Sequence, residues 1–262
     1  PAILRDYTRE AGVRDLERRI ARVARKLARR RAELGAAAPG ADTVRASDLR
    51  ELLGVAPYAE SPLALEPKVG VATGLAYTSV GGDVLEIEVS VVPGRGKLQL
   101  TGTLGDVMKE SASAALSYVR ARAQALGIDP ELLRTRDLHI HIPAGGTPKD
   151  GPSAGIAICT ALVSALGGVP IRGDVAMTGE VTLRGRVLPI GGLREKAVAA
   201  HRYRVADVII PQQNARDVEE LPEEVRAGVR FHAVKTMDEV LAVALVRAPF
   251  AGDMPSTTAF TQ

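Results

Sequence analysis

Apolar side chains at Val13, Leu16, Ile20, Val23 and Leu27 recur at steps of three and four, the spacing that lines one face of an α-helix. Thr8 is placed to open that helix, with Glu10 in its first turn, and Gly35 to close it. Residues 42–45 read as a short strand, and Ser47 as the cap of a second helix running to Leu53. Three prolines, Pro57, Pro62 and Pro67, mark residues 58–68 as a linker. The period then drops to two: Leu85, Ile87, Val89 and Val91 face inward and Glu86, Glu88 and Ser90 outward, which predicts a strand over 84–91. Residues 97–103 are its expected hairpin partner, across a turn at Gly94-Arg95-Gly96-Lys97. A long helix is predicted over 106–126, stopped by Gly127 and Asp129-Pro130, then a strand over 137–142. The apolar run 154–163 predicts a buried helix that begins at Ser153. Strands follow at 175–177 and 186–188, a helix after Gly191-Gly192, a strand at 208–210, and a closing strand and helix over 231–234 and 237–245. From Arg247 onward the polar tail is expected to be disordered.

Strands and helices mix here without the regular βαβ rhythm of a doubly wound sheet, so the expected fold class is α+β or mixed α/β. The expected division is a small helical unit over 1–57, a linker over 58–68, the mixed domain over 69–248 and a flexible tail over 249–262. There are no internal repeats. Composition narrows the picture little further. Aromatics make up 3% of 262 residues and tryptophan is absent, so the core has to be built of Val, Leu, Ile and Ala. The single cysteine, Cys159, excludes an internal disulfide and reads as a small core residue. No uninterrupted apolar run approaches the length of about 18 residues that a membrane span requires, and the start is not a signal peptide. A reducing cytoplasm fits. Residues 1–34 hold 11 basic and 5 acidic side chains within a chain of net charge +3. Such asymmetry fits DNA binding through the helical unit, but it fits a solvated helix face as well, because no stacking aromatics interleave.

The chemistry concentrates in two segments. One is Thr147-Pro148-Lys149-Asp150-Gly151-Pro152-Ser153-Ala154-Gly155, and the other is Gly191-Gly192-Leu193-Arg194-Glu195-Lys196. A serine hydroxyl is a poor nucleophile at neutral pH and needs a base to take its proton. Lysine can serve only if its ammonium form is disfavoured, and lowering its pKa from about 10.4 to about 7 takes roughly 4 to 5 kcal/mol. Burial beside Ala197, Val198, Ala199 and Ala200 can supply much of that, and the first turn of a helix adds to it by opposing a cation. Ser153 and Lys196 therefore form a candidate nucleophile and base without histidine or metal. N–H groups at a helix start are natural donors to a developing oxyanion. Pro152 has none, which leaves Ser153 itself with Asp150 or Gly151. Taken alone, Ser153 reads as an ordinary N-cap of a core helix.

Both segments resemble motifs of the Lon family of ATP-dependent proteases: Pro148 to Gly155 its serine motif, and Met177-Thr178-Gly179-Glu180-Val181-Thr182-Leu183-Arg184-Gly185 with Leu188-Pro189-Ile190 to Lys196 its lysine region. The likeness continues through Gly74-Leu75-Ala76-Tyr77, Gly94-Arg95-Gly96-Lys97 and Thr101-Gly102-Thr103-Leu104-Gly105, and covers residues 1 to about 248. It implies a helical subdomain of an AAA+ ATPase followed by a protease domain, with Ser153 as nucleophile, Lys196 as general base and Thr178 positioning the pair. Tyr7-Thr8-Arg9-Glu10-Ala11-Gly12-Val13-Arg14 is similar to the segment carrying the family's nucleotide-sensing arginine, which maps to Arg14. The resemblance further implies a homohexameric ring acting on unfolded or damaged proteins. It implies no cofactor for peptide hydrolysis, and ATP with Mg²⁺ for unfolding. The chain has no Gly-x-x-x-x-Gly-Lys-Ser/Thr loop. It is therefore expected to be the C-terminal part of a longer protein, cut inside the ATPase module. Many relatives carry Trp where this chain has Tyr77.

Other readings compete. Gly151-Pro152-Ser153-Ala154-Gly155 fits the Gly-x-Ser-x-Gly elbow of α/β-hydrolases, which needs a strand running into the serine and a later acid and histidine. His201 or His232 with Asp174 or Asp207 are the available partners. His139 and His141 share one strand face and could offer two metal ligands, without a third at convincing spacing. Asp150 is placed to contact Lys196 in a resting state and hold it protonated. A module that only binds DNA or oligomerises is the remaining alternative.

Overall fold

The computed structural model describes residues 2–8, 10, 12–34, 43–58, 66–78, 81–143 and 149–248. The first elements are helical: α1 (Ala2–Tyr7), α2 (Arg14–Leu34) and α3 (Leu49–Leu53). Their core is small, with Tyr7, Val23, Leu49, Leu52 and Leu53 buried and the Tyr7 hydroxyl donating to the Gly54 carbonyl at 2.9 Å. The apolar stripe of α2 is only partly used: Val23 is buried, whereas Val13 is 59% and Ile20 51% exposed. The start of α2 also differs from expectation. Thr8 closes α1 by donating to the Leu4 carbonyl, and α2 opens at Arg14. Glu10 lies outside α2 and caps it, accepting from the Asp15 and Leu16 N–H groups at 2.9 Å. Residues 43–45 form no strand. Ser47 lies inside a 3-10 turn, Ala46–Asp48, where the Asp48 carboxylate accepts from Arg45 N–H and does the capping. Gly35, residue 42, most of the expected linker (59–65) and the expected tail (249–262) fall outside the described residues.

The second compact unit is built on a seven-stranded mixed sheet. Its strands are β1 (Val71–Thr78), β2 (Gly81–Pro93), β3 (Leu98–Thr101), β4 (Arg136–His141), β5 (Val175–Met177), β8 (Asp207–Pro211) and β9 (Arg230–Val234), in the order β3-β4-β2-β1-β5-β8-β9. Strands β6 (Glu180–Val181) and β7 (Val187–Leu188) form a separate antiparallel pair. Helices α4 (Asp106–Arg122), α5 (Leu132–Thr135), α6 (Gly155–Gly167), α7 (Leu193–Arg202), α8 (Glu223–Gly228) and α9 (Met237–Ala244) complete the unit. Strand β8 shows how both faces are filled: Ile209 joins the core under α4, α6 and α9, while Val208 and Ile210 join the one under α7 and α8. This alternation is what a strand covered on both sides requires.

The mixed α/β class expected from the sequence is the one observed, but one pairing is not. Strand β3 does not form a hairpin with β2. Strand β4 lies between them, antiparallel to β2 and parallel to β3, with Leu98 opposite Leu138 and Glu88 opposite His141. The turn at Gly94-Arg95-Gly96-Lys97 is instead held by Asp137 of β4, whose carboxylate accepts from Arg95 N–H at 2.7 Å and Lys97 N–H at 2.8 Å. Helix α4 ends at Arg122, four residues short of the predicted stop, and Ser153 lies in a 3-10 turn (Pro152–Ala154) just ahead of α6. Strand β1, between β2 and β5, was not expected at all.

Candidate active site

Three segments converge beyond the carboxyl end of β5. The residues that follow that strand are Thr178 and Gly179, where Thr178 N–H donates to the Ile209 carbonyl of β8 at 3.1 Å. The 3-10 turn holding Ser153 is tied to them twice. Gly179 N–H donates to the Ser153 carbonyl at 2.8 Å, and Ile156 N–H of α6 donates to the Gly179 carbonyl at 3.0 Å. Helix α7 supplies the third segment. It opens after Gly192, with the Lys196 N–H donating to the Gly192 carbonyl, so that Lys196 belongs to its first turn. The helix can lie close against the sheet because residue 82 is glycine: a Cβ there would fall 1.9 Å from the Glu195 carbonyl oxygen.

Lys196 and Ser153 meet at the hydroxyl of Thr178. Lys196 Nζ donates to Thr178 Oγ1 at 3.0 Å, and Thr178 Oγ1 donates to the Ser153 carbonyl at 3.3 Å. Thr178 is fully buried, Lys196 is 2% exposed and Ser153 is half-buried. Burial lowers the Lys196 pKa from 10.5 to about 8, because the ammonium loses its water. About a tenth of the side chain is then a free amine at pH 7, which makes it a competent proton acceptor. Of the apolar lining foreseen around it, Ala197, Ala199 and Ala200 are buried and Val198 is exposed, while Leu193, not foreseen, is buried as well.

Other residues singled out in the sequence have different surroundings. The Asp150 carboxylate is directed at the start of α4, accepting from Met108 N–H at 3.0 Å and from Gly151 N–H at 2.9 Å. It does not contact Lys196, whose shift is due to burial alone, so the expected resting-state contact is absent here. The Gly151 N–H, a candidate oxyanion donor, is occupied by that carboxylate. Arg14 is the exposed first residue of α2 in the helical unit. His139 and His141 share Thr101 Oγ1, at 2.8 and 2.7 Å, and no group of three His, Cys, Asp or Glu among the described residues is arranged to hold a metal ion. Cys159 is fully buried, and burial raises its pKa.

The hydrolase elbow does not form. Strand β4 ends at His141, well before Ser153, and the serine sits in a 3-10 turn. His232 does meet Asp207, at 2.6 Å, but that carboxylate also accepts from Arg230 Nε at 2.5 Å and Arg172 Nη2 at 2.6 Å. It is the centre of an ion cluster at the opposite, amino-terminal end of β8. Two features of the region were not singled out from the sequence. One is the ion cluster as a unit: Asp207 and His232 were weighed only as hydrolase partners, and Arg172 and Arg230, which complete it, were not named. The other is buried Lys149, which was quoted only as part of a motif.

The sequence pattern described as Lon protease (S16) C-terminal proteolytic domain matches residues 43–247, and that of the Lon protease AAA+ ATPase lid domain matches residues 1–38. Lon protease of Erwinia amylovora is 54% identical over 254 residues, which cover 97% of this chain and 32% of that protein. Lon protease of Escherichia coli (strain K12) is 54% identical over 247 residues, covering 94% and 31%. That of Chloroflexus aggregans is 54% identical over 250 residues, covering 94% and 30%. The chain thus spans about a third of the length of the curated relatives it matches.

Proposed function

The chain belongs to the Lon protease family, and from that membership and the geometry above we propose that it is a serine endopeptidase working through a Ser153–Lys196 dyad. One observation carries the reading: a lysine buried against a neutral hydroxyl, with its pKa near 8, linked through that hydroxyl to the serine turn. In the proposed reaction Lys196 Nζ takes the proton of Ser153 Oγ as the oxygen bonds to the peptide carbonyl carbon. The oxyanion is held by backbone N–H groups at the serine turn, with Gly151 available once Asp150 releases it. Lys196 then passes the proton to the leaving amine, the C–N bond breaks, and a water activated by the same lysine hydrolyses the acyl-enzyme. Thr178 orients the amine throughout.

The same membership supports a wider set of proposals: unfolded or damaged proteins as substrates, a homohexameric assembly, a cytoplasmic location, and Arg14 as a nucleotide sensor. ATP and Mg²⁺ would drive unfolding in the full-length protein. The residues present do not fit a triphosphate by themselves, since no Gly-x-x-x-x-Gly-Lys-Ser/Thr loop occurs, and no step here involves it. No helix among the described residues is long and apolar enough to cross a membrane. A second reading, DNA binding, draws on the exposed Arg18, Arg22, Arg25 and Arg29 of α2. It would give an affinity that falls steeply with salt. The test of the main proposal is cleavage of an unstructured fluorogenic peptide from about pH 6 to about pH 10. Activity rising with a midpoint near 8, and absent in Ser153→Ala and Lys196→Ala, supports it. Activity retained in Lys196→Ala, with a midpoint near that of histidine at about 6.5, overturns it.

A further inference from the structure

A second lysine is buried just ahead of the serine turn, and the reaction proposed above makes no use of it. Lys149 is 6% exposed, and its Nζ donates to the Gly102 carbonyl at 3.1 Å. Its backbone is fixed to the same turn between β3 and α4. Lys149 N–H donates to the Thr103 carbonyl at 3.1 Å, and its carbonyl accepts from Gly105 N–H at 2.8 Å. One residue on, Asp150 accepts from Met108 N–H, an anion on the positive end of α4. The approach is tight: a Cβ at residue 105 would fall 2.3 Å from the Asp150 carboxylate carbon. The turn also holds the β-branched Thr103 at a φ of 57°, a conformation that persists only where its surroundings over-determine it.

Ser153 is therefore anchored from two sides. Thr178 and Gly179 hold its carbonyl, and the segment 149–152 is strapped to the β3–α4 turn, with Ser111 Oγ also donating to the Pro152 carbonyl at 3.4 Å. Backbone bonds would already make a strap. Burying an ammonium in it costs several kcal/mol of hydration that a methionine of similar length would not lose. What the charge adds is a hydrogen bond roughly twice as strong as a neutral one.

We propose that Lys149 is a positioning residue: its ammonium, bonded to Gly102, locks the strap and thereby sets where Ser153 Oγ stands relative to Lys196. This rests on the dyad reading. A displacement of the nucleophile by about 1 Å costs on the order of 100-fold in rate, so the bond acts on kcat and not on peptide binding.

The test is peptide cleavage by the whole chain and by Lys149→Met, Lys149→Arg and Ser153→Ala, with kcat, KM and the pH profile measured for each. The expected result is kcat lower by about 100-fold in Lys149→Met with KM within about threefold of native, the rising limb unmoved, and most of the rate restored in Lys149→Arg. Native kcat in Lys149→Met overturns the proposal. So does an equal loss in both variants accompanied by a displaced pH midpoint, which would mean a general collapse of the site. If Lys149→Met does not fold, hydrogen exchange on Lys149→Arg decides. Native protection of the Gly105 and Met108 amides with near-native kcat supports the strap, and loss of that protection without loss of rate contradicts it. Activity retained in Ser153→Ala would instead sink the dyad reading beneath it.

Discussion

The two ends of β8 and its neighbour β5 each bury an ionisable group, with opposite treatment. At the amino-terminal end Asp207 is 1% exposed and surrounded by Arg172, Arg230 and His232. Those partners hold its pKa well below the usual carboxylate range despite the desolvation that opposes ionisation. At the carboxyl end Lys196 is equally buried but faces the hydroxyl of Thr178, and its pKa falls to about 8. Compensated burial yields a permanently charged anchor that ties β9 and the segment before β5 to β8. Uncompensated burial yields a group that can change its protonation state near neutral pH. The second is what the general base proposed above would need, and here it comes with no counter-charge beside the amine.

Replacing each group in turn breaks the comparison in a different observable. The largest effect is expected for Lys196→Met, which should remove peptide cleavage by at least about 1,000-fold while stabilising the fold. Unfolded lysine titrates near 10.5 and the folded group near 8. The burial penalty, about 3 kcal/mol, is therefore fully present below pH 8 and fades as pH rises towards 10.5. Urea unfolding should show the variant ahead of the native chain at about pH 6.5, with the gap closing above about pH 10. A variant less stable than native at the lower pH would refute uncompensated burial.

Asp207→Asn should do the reverse, costing about 2 to 4 kcal/mol and leaving the cleavage rate of the folded chain within about threefold of native. The sign of its pH dependence also differs. The folded pKa lies below the unfolded value, so the contribution is complete above about pH 4 and is lost as acid carries the group through its depressed folded pKa. Native and variant unfolding curves should converge below about pH 4. Convergence at higher pH, or none, would show that the arginines do not hold the carboxylate charged. The smallest effect is expected for Thr178→Val, which keeps the shape and removes the hydroxyl. It should lower kcat by roughly 10- to 100-fold and move the rising limb below pH 8, because the ammonium loses an acceptor. Thr178→Ser should restore both.

Where chemistry is local, the sequence was enough to see it. Gly191-Gly192 followed by an alanine-rich helix placed Lys196 in a first turn, and the apolar run after Ser153 announced the buried helix α6. What could not be read depends on partners distant in the chain. Strand β1 lies between two other strands, with Leu75 in one core and Ala72 in the other, so it shows no clean alternation. Periodicity identified β3 as a strand but not its neighbour, since its parallel partner β4 follows only after α4 and α5. The ion cluster joins residues 172, 207, 230 and 232, and nothing in their local sequence marks them as one site. Lys149 sits among proline, aspartate and glycine, where a charged side chain is expected to be solvated, and its burial follows from the β3–α4 turn folding over it.

The central claim is that Lys196 loses its proton near pH 8 inside the folded chain. The direct measurement is the pH titration of its ¹³Cε resonance in lysine-labelled protein, assigned by the peak missing from Lys196→Met. The account predicts a midpoint near 8 that coincides with the rising limb of peptide cleavage. A midpoint at the 10.5 of an ordinary lysine, with cleavage still rising near 8, would contradict it.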